Sequence, residues 1–488
     1  MGATAMNGVA KNISIIGSGP SGLYTAYHLI KKSKIPLNIK VWEKNPVPFG
    51  LSRYGVAPDH PEVKNCEIGF TDMFRHYREM GNGACQNLQF IGNVAVDSPE
   101  LPLRRLIDEE DVVVFSYGCT GDRKLDIPNE DDTVGVVSSR EFVNWYNGQF
   151  DMALHEKFMK FDWSKVKRVG IIGNGNVALD IVRVLISNKI YDMWEATDIS
   201  SVALEKLKQA PIENVKVIAR RDFLRSKFTN KEMRELWEME KYGLFGNINA
   251  TDLLEGKIDS SKLDRPKKRL VEMCTEYMKP FNERTKKNYR KIEPPLKRED
   301  SPKIWEFEYL QSPLAINRNP ITKQIQALTV SQNEVTSDNK VVQLEGKTKT
   351  YDIDLLITSL GYKGIPLKSF EELGIKFDRD HIGNFLGRVV STNNATIPGL
   401  YASGWIRKGS QGVIATTMQD SFAVAEEILK DLPTLAAKGK GIDVEAIPHT
   451  TWEDWEIVDS NERSNGLMRN KPREKFLTVD EVLTCIRE

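Results

Sequence analysis

One supersecondary pattern occurs twice in this chain, and the duplication limits the possible folds more than any other feature. Residues 12–16 form an apolar run, Gly17-Ser-Gly-Pro-Ser-Gly22 a glycine turn, residues 23–32 place apolar side chains at helical spacing, and a second apolar run at 38–42 ends at Glu43. Strand, tight turn, helix and parallel strand make the βαβ unit that holds dinucleotides. The pattern returns at 168–172, turns through Gly173-Asn-Gly-Asn-Val-Ala178, predicts a helix over 180–187 and reaches a strand at 214–219 followed by Arg220 and Arg221. Strands alternating with helices predict an α/β fold with parallel, doubly wound sheets whose ligands sit at the carboxyl ends of the strands.

A lone glycine turn is weak evidence, but a complete unit assigns work to each position. Gly17 permits the tight turn, Gly19 lets backbone approach a pyrophosphate, and Gly22 lets helix and strand pack closely. Glu43, at the end of the second strand, can bond an unphosphorylated ribose and repels a 2′-phosphate. The second unit has Ala178 in place of the third glycine and two arginines in place of the acid, a pair able to clamp a 2′-phosphate. The second ligand is therefore expected to be NADP(H), and FAD is the economical hydride acceptor for the first.

The rest of the chain narrows the class. Its 488 residues suggest two large domains or three smaller ones, and 40% hydrophobic with 28% charged residues describe a globular protein. Sixty-eight basic residues balance sixty-eight acidic ones, so attraction to any charged partner must come from local clusters. Cys66, Cys85, Cys119, Cys274 and Cys485 form no C-x-x-C pair, which excludes a thiol redox pair and a zinc ribbon and favours free thiols. Apolar runs such as 111–115 are far too short to span a membrane, and the first ten residues resemble neither a presequence nor a secretory signal. The region 303–310 together with 341–344 suggests a β meander, 351–359 a buried strand, 416–430 a helix, and the remaining carboxyl-terminal segment reads as polar.

Beyond the glycine turns, Pro48-Phe-Gly-Leu-Ser-Arg-Tyr-Gly-Val-Ala-Pro-Asp-His-Pro-Glu-Val-Lys-Asn65, Gly404-Trp405, Gly412-Val-Ile-Ala-Thr-Thr-Met-Gln-Asp-Ser-Phe422 and Lys471-Pro-Arg-Glu-Lys475 resemble the mitochondrial NADPH-ferredoxin reductases of the adrenodoxin reductase type, within the glutathione-reductase-like flavoproteins. The likeness runs nearly end to end. It implies two Rossmann-like domains, the NADP domain inserted into the FAD domain, with boundaries at 1–128, 129–355 (including a basic insertion at 262–298) and 356–488. It implies FAD contacts at Ser21, Glu43, Leu51, Val96, Trp405, Gly412, Val413 and Ile414. For NADP it implies Asn174, Gly175, Asn176, Val177, Arg220, Arg221, Glu232 and again Gly412. His60, Asp180 and Glu232 become the candidate catalytic groups near the nicotinamide; on the residue alone, His60 would read as a loop histidine bonded to backbone. Ser410 departs from the family, where a proline is usual.

Residues 262–298 hold thirteen Lys or Arg against five Asp or Glu. Such runs are usually solvated surface. The resemblance implies that Arg234, Arg265 and Arg269 dock an acidic [2Fe–2S] ferredoxin, a small transient encounter that charge complementarity accelerates. Aromatic residues are too few for a nucleic-acid surface. The expected function is that of an FAD-dependent ferredoxin–NADP reductase, feeding electrons one at a time into iron–sulfur cluster assembly, haem modification or P450 chemistry. The resemblance further implies a monomer in the mitochondrial matrix, with peripheral contact to the inner membrane. A reductase with another acceptor and a nucleotide-sensing flavoprotein without turnover stay open as alternatives. A disulfide reductase lacks its cysteine pair, a flavin monooxygenase its linker motif, and a glutamate-synthase-like subunit its cysteine clusters.

Overall fold

Two parallel sheets organise the chain. The computed structural model describes residues 10–79 and 86–488; residues 1–9, most of the stretch read for a targeting signal, and Cys85 lie outside them. The first sheet runs in the spatial order Asn384–Phe385, Arg388–Val390, Thr396–Ala402, Val112–Phe115, Lys11–Ile16, Leu37–Trp42, Gln86–Ile91, the last five parallel. Val112–Phe115 is buried along its whole length, as a β-branched run covered on both faces must be. Helices Pro20–Lys32 and Ile414–Asp431 pack side by side on one face with Leu23, Ala26, Val424 and Ile428 in the core.

The second sheet is all parallel: Val136–Ser138, Leu355–Thr358, Arg168–Ile172, Asn214–Ile218, Ile304–Glu308, Phe245–Asn249. Helix Asn176–Ile186 covers one face. An antiparallel meander of Gln311–Arg318, Ile325–Val335 and Val341–Asp352 covers the other through Ile316, Leu328 and Val330. The chain crosses between domains at Gly121–Asp122 and Tyr362–Lys363, which pair as a two-stranded antiparallel ribbon.

Three expectations need correction. Residues 304–308 join the parallel sheet instead of the meander, which occupies 311–352. Within 351–359, residues 351–352 end an exposed meander strand while Leu355–Thr358 inserts between Val136–Ser138 and Arg168–Ile172, so a boundary at 355/356 falls inside a strand of the second sheet. The polar tail is partly core. Helix Trp452–Leu467 sinks Trp452 and Trp455 into the first domain, with Trp452 stacked on Phe74 at 4.0 Å between ring centroids. Two tryptophans on an otherwise polar helix leave the average composition unchanged, although each contributes a large apolar surface.

Cys66, Cys119, Cys274 and Cys485 are free, and no helix among the described residues is long and apolar enough to cross a membrane.

Candidate functional site

Both glycine turns are shaped by what their backbones must avoid. Gly17 has φ +102°, and a Cβ there would lie 2.8 Å from Tyr117 Cα. A Cβ on Gly22 would lie 2.1 Å from the carbonyl oxygen of Gly17, so neither position admits a side chain. A Cβ on Gly19 would meet nothing within 4 Å. The second turn repeats the arrangement: Gly173 has φ +108° with Ser359 O 2.2 Å from its would-be Cβ, and Gly175 faces open space. Helices Pro20–Lys32 and Asn176–Ile186 both start at these open glycines without a side-chain cap, leaving first-turn N–H groups available to an anion. The cradles fit two dinucleotide pyrophosphates.

Around the first turn, Glu43 is buried. It accepts bonds from Ser18 N (3.0 Å), Ser18 Oγ (2.8 Å) and Asn45 N (3.0 Å), which fix its carboxylate at the strand end. Leu51 follows Gly50, whose would-be Cβ is 3.0 Å from Gly19 Cα. Val96 lies just past Val94, whose N–H donates to Glu43 O at 2.9 Å. Trp405 follows Gly404, a position with φ +71° packed on Ser21. The Ser21 hydroxyl itself donates to Ser403 Oγ at 2.8 Å and lies 3.1 Å from Ser421 Oγ, so its proton is already committed within the protein.

The loop before helix Ile414–Asp431 is anchored at two points. Trp405 Nε1 donates to Gln411 O at 3.1 Å, and Ser410 Oγ donates to Tyr362 O at 2.7 Å. The second bond ties the loop to the interdomain ribbon in place of the stiffness a proline would give. Gly412 has φ +83°, and Gly412 and Val413 are exposed. The helix begins two residues earlier than its apolar spacing suggests; the Val413 N–H is taken by Thr416 Oγ1 at 3.0 Å, so it is not available to a ligand at the first turn.

In the second unit, Asn174 Nδ2 donates to Ser226 Oγ at 3.2 Å and Asn176 Oδ1 accepts from Thr229 N at 2.8 Å, tying the glycine turn to the segment after Arg221. Val177 packs on the domain core. Arg220 is exposed and Arg221 half-buried; neither pairs with a carboxylate among the described residues, and Arg221 Nε is buried without a partner. Orphaned guanidinium N–H at this strand end fits a phosphate ligand.

Between the domains lies a titratable cluster. His60, Asp180 and Glu232 offer atoms all within 4.8 Å of one another. At their centre is Arg183, a residue absent from the sequence expectations, with its side chain only 1% exposed. Its Nε donates to Asp59 Oδ2 at 2.9 Å, its Nη2 to Asp180 Oδ1 at 2.8 Å and its Nη1 to Glu232 Oε2 at 3.3 Å. His60 Nε2 lies 2.8 Å from Glu235 Oε2 and 3.1 Å from Arg183 Nη2. That nitrogen can donate to Glu235 or accept from Arg183, but one proton state cannot do both.

Four carboxylates thus surround one guanidinium and one imidazole. Burial, reinforced by the charge of Asp180, pushes Glu232 up to about 7, and burial likewise raises Asp180. Burial opposes the charged form of His60, yet the bond to Glu235 prevails and its pKa rises. Burial works against Asp59 too, but Arg183 holds it below the ordinary carboxylate range. The shifts favour the protonated forms of Glu232, Asp180 and His60, and the cluster draws its residues from both domains.

Asp59, Arg183 and Glu235 escaped the sequence reading. A signal existed for each: Arg183 interrupts an apolar helix three residues after Asp180, Glu235 lies one turn after Glu232, and Asp59 adjoins His60.

Arg234, Arg265 and Arg269 stand exposed on helices Asn230–Trp237 and Arg265–Met278, which Asn230 Nδ2 joins by donating to Pro266 O at 2.9 Å. The surrounding positive excess is smaller at the surface than by count. Arg284 is buried against Glu240 (2.5 and 2.6 Å), and Arg298 caps the carbonyls of Gly246 and Tyr277, so both organise the insertion internally.

Comparison with known proteins agrees with this geometry. A family described as an NAD(P)-binding Rossmann-like domain matches residues 15–79. A probable mitochondrial NADPH:adrenodoxin oxidoreductase of Saccharomyces cerevisiae is 56% identical over 97% of this chain and 96% of its own, and the mitochondrial NADPH:adrenodoxin oxidoreductase of Bos taurus is 34% identical over 97% and 92%. Among solved structures, FprA of Mycobacterium tuberculosis in complex with NADPH aligns with a TM-score of 0.80 at 28% identity, covering 98% of this chain and 100% of that one. Identity of this extent, over a site already complete in its geometry, means that the chain belongs to the mitochondrial NADPH:adrenodoxin oxidoreductase family.

Proposed function

We propose that this protein oxidises NADPH and passes the electrons singly, through FAD, to an acidic [2Fe–2S] ferredoxin in the mitochondrial matrix. The observation carrying the reading is the cluster around Arg183, built from both domains beside the second glycine turn. FAD held at the first glycine turn and Glu43 would supply the conversion of a two-electron input into one-electron outputs.

The chain's own residues supply position and charge. Gly19 and Gly175, with the N–H groups behind them, hold the two pyrophosphates. Glu43 selects an unphosphorylated ribose in the first domain, and Arg220 with Arg221 select a 2′-phosphate in the second. Gly412 leaves room for two flat rings to approach, and the uncapped start of helix Ile414–Asp431 directs positive dipole toward the flavin. His60, bonded to Glu235, and Glu232, bonded to Arg183, orient the nicotinamide, with Asp180 and Arg183 fixing their geometry. Arg234, Arg265 and Arg269 steer the partner, and a monomer suffices for every one of these roles.

The test is anaerobic spectroscopy. The purified protein should be yellow, bleach with NADPH and recover its colour when oxidised ferredoxin is added. Replacing both Arg220 and Arg221 with Ala should weaken NADPH binding about 100-fold, two charge-assisted bonds at roughly 1.5 kcal/mol each, while NADH changes little. Protein that stays colourless after incubation with FAD, or equal losses for both coenzymes, would overturn the reading.

A further inference from the structure

Beyond Arg221, the end of the second unit opens into a pocket of about 320 Å³ lined by Arg221, Arg225, Lys227, Lys267 and Asn339 with no carboxylate among its lining residues. These residues come from three separate places: the turn after Asn214–Ile218, the first turns of helix Arg265–Met278, and the hairpin tip between Ile325–Val335 and Val341–Asp352. Asn339 sits at φ +66° and accepts from Arg225 Nε at 2.9 Å and Nη2 at 2.6 Å, which holds this guanidinium at the pocket wall. Asp222 pairs with Arg225 from outside the lining. Among the described residues Lys227 and Lys267 have no carboxylate partner, and Arg221 Nε is buried without one. Four cations gathered with a carboxylate partner for Arg225 alone repel one another, an arrangement that a polyanionic ligand relieves.

The helix that supplies Lys267 also carries the arginines read as partner contacts. At about 100° per residue, Arg265 and Arg269 fall on one flank of the buried stripe formed by Leu270, Met273, Cys274 and Tyr277, and Lys267 falls on the other flank. Lys267 therefore does not share the surface of Arg265 and Arg269. Its flank is the one turned to the pocket.

We propose that Lys267 and Arg225 are further 2′-phosphate ligands that set the preference for NADPH over NADH, so the basic insertion serves the coenzyme on one flank and the partner on the other. The inference rests on the reading of Arg220 and Arg221 given above and extends the subsite to two segments that reading leaves out.

The experiment titrates the FAD-loaded enzyme with 2′,5′-ADP and with 5′-AMP, which differ only in the phosphate in question. Lys267→Met keeps the aliphatic stem, removes the charge and breaks no ion pair among the described residues; it should weaken 2′,5′-ADP about tenfold and leave 5′-AMP within twofold. Asn339→Ala, which leaves Arg225 anchored by Asp222 alone, should weaken 2′,5′-ADP about threefold with the same selectivity. Arg221→Ala is the reference. If Arg221→Ala loses 2′,5′-ADP selectively while Lys267→Met stays within twofold of the parent, the inference is wrong and the parent reading stands. Should Arg221→Ala itself leave 2′,5′-ADP unchanged, the 2′-phosphate subsite is misplaced and both fail together.

Discussion

The two glycine-turn units share a backbone plan and differ in how much of their polar chemistry is already satisfied. In the first, Glu43 accepts three bonds from Ser18 and Asn45, and the Ser21 hydroxyl is bonded into a serine cluster with Ser403 and Ser421. In the second, Arg220, Arg221 and Lys227 lack carboxylate partners among the described residues, and Arg221 Nε is buried alone. A site whose side chains are locked before the ligand arrives gives up little entropy on binding, which suits a cofactor that stays. A site with unpaired cations gains most when its ligand enters and regains that repulsion when it leaves, which suits a coenzyme exchanged at each turnover.

The sharpest way to break this contrast is to exchange the third residue of the two turns. In Gly22→Ala the new Cβ meets the Gly17 carbonyl oxygen at 2.1 Å, a backbone atom that cannot give way. Overpacking of that kind costs about 1–3 kcal/mol or more, and it falls on the turn that cradles the pyrophosphate. Flavin-to-protein ratio after purification should drop at least tenfold. The reverse change, Ala178→Gly, removes one buried methyl from the helix and costs about 1 kcal/mol, mostly in propensity; NADPH affinity should stay within about fivefold. If both variants lose their ligand equally, the first unit is no more rigid than the second.

Protons sharpen the contrast further, because the titratable cluster gathers around Asp180 and Arg183 on the helix that begins at the second glycine turn. Glu232 is raised to about 7, so the folded protein keeps a proton on it that the unfolded chain releases near its ordinary value of 4.5. The unfolded state then binds fewer protons through this window, and the stability linked to Glu232, complete below 4.5, is lost as pH rises through about 7. His60, also raised, has the same sign; Asp59 and Glu235, both lowered, have the opposite one and lose their contribution as pH falls. Comparison with a variant separates them. Between pH 5 and 7.5 the thermal midpoint of Glu232→Gln should decline by a few degrees less than that of the parent. Parallel declines would remove Glu232 from the cluster's proton balance.

How much of this was legible in the chain depends on whether a residue's neighbours are local or distant. The glycine turns, Glu43 and Arg220–Arg221 could be read because strand, turn and helix follow one another in sequence and their spacing states the geometry. Asp59 meets Arg183, and His60 meets Glu235, only across the domain seam, where local spacing hints at each residue but does not bring the partners together. Strand Leu355–Thr358 follows an exposed meander strand after two residues, so its apolar run seemed to continue the preceding one when it belongs to another sheet. The carboxyl-terminal helix hid its role because two buried tryptophans are diluted among polar residues. The basic count at 262–298 overstated the surface charge, since a guanidinium such as Arg284 can be spent inside against Glu240.

The smallest expected effect concerns Ser410, whose hydroxyl donates to Tyr362 O at 2.7 Å and so ties the loop before Gly412 to the interdomain ribbon. One neutral hydrogen bond at a partly buried site contributes about 1 kcal/mol, and the loop keeps its second anchor from Trp405 Nε1 to Gln411 O. Ser410→Ala should therefore slow anaerobic flavin bleaching by NADPH no more than about threefold, with flavin content unchanged. A loss beyond tenfold would mean that the ribbon's hold on this loop controls how the two rings meet. The locked character assigned to the first unit would then rest on a single hydroxyl and not on the backbone of its glycine turn.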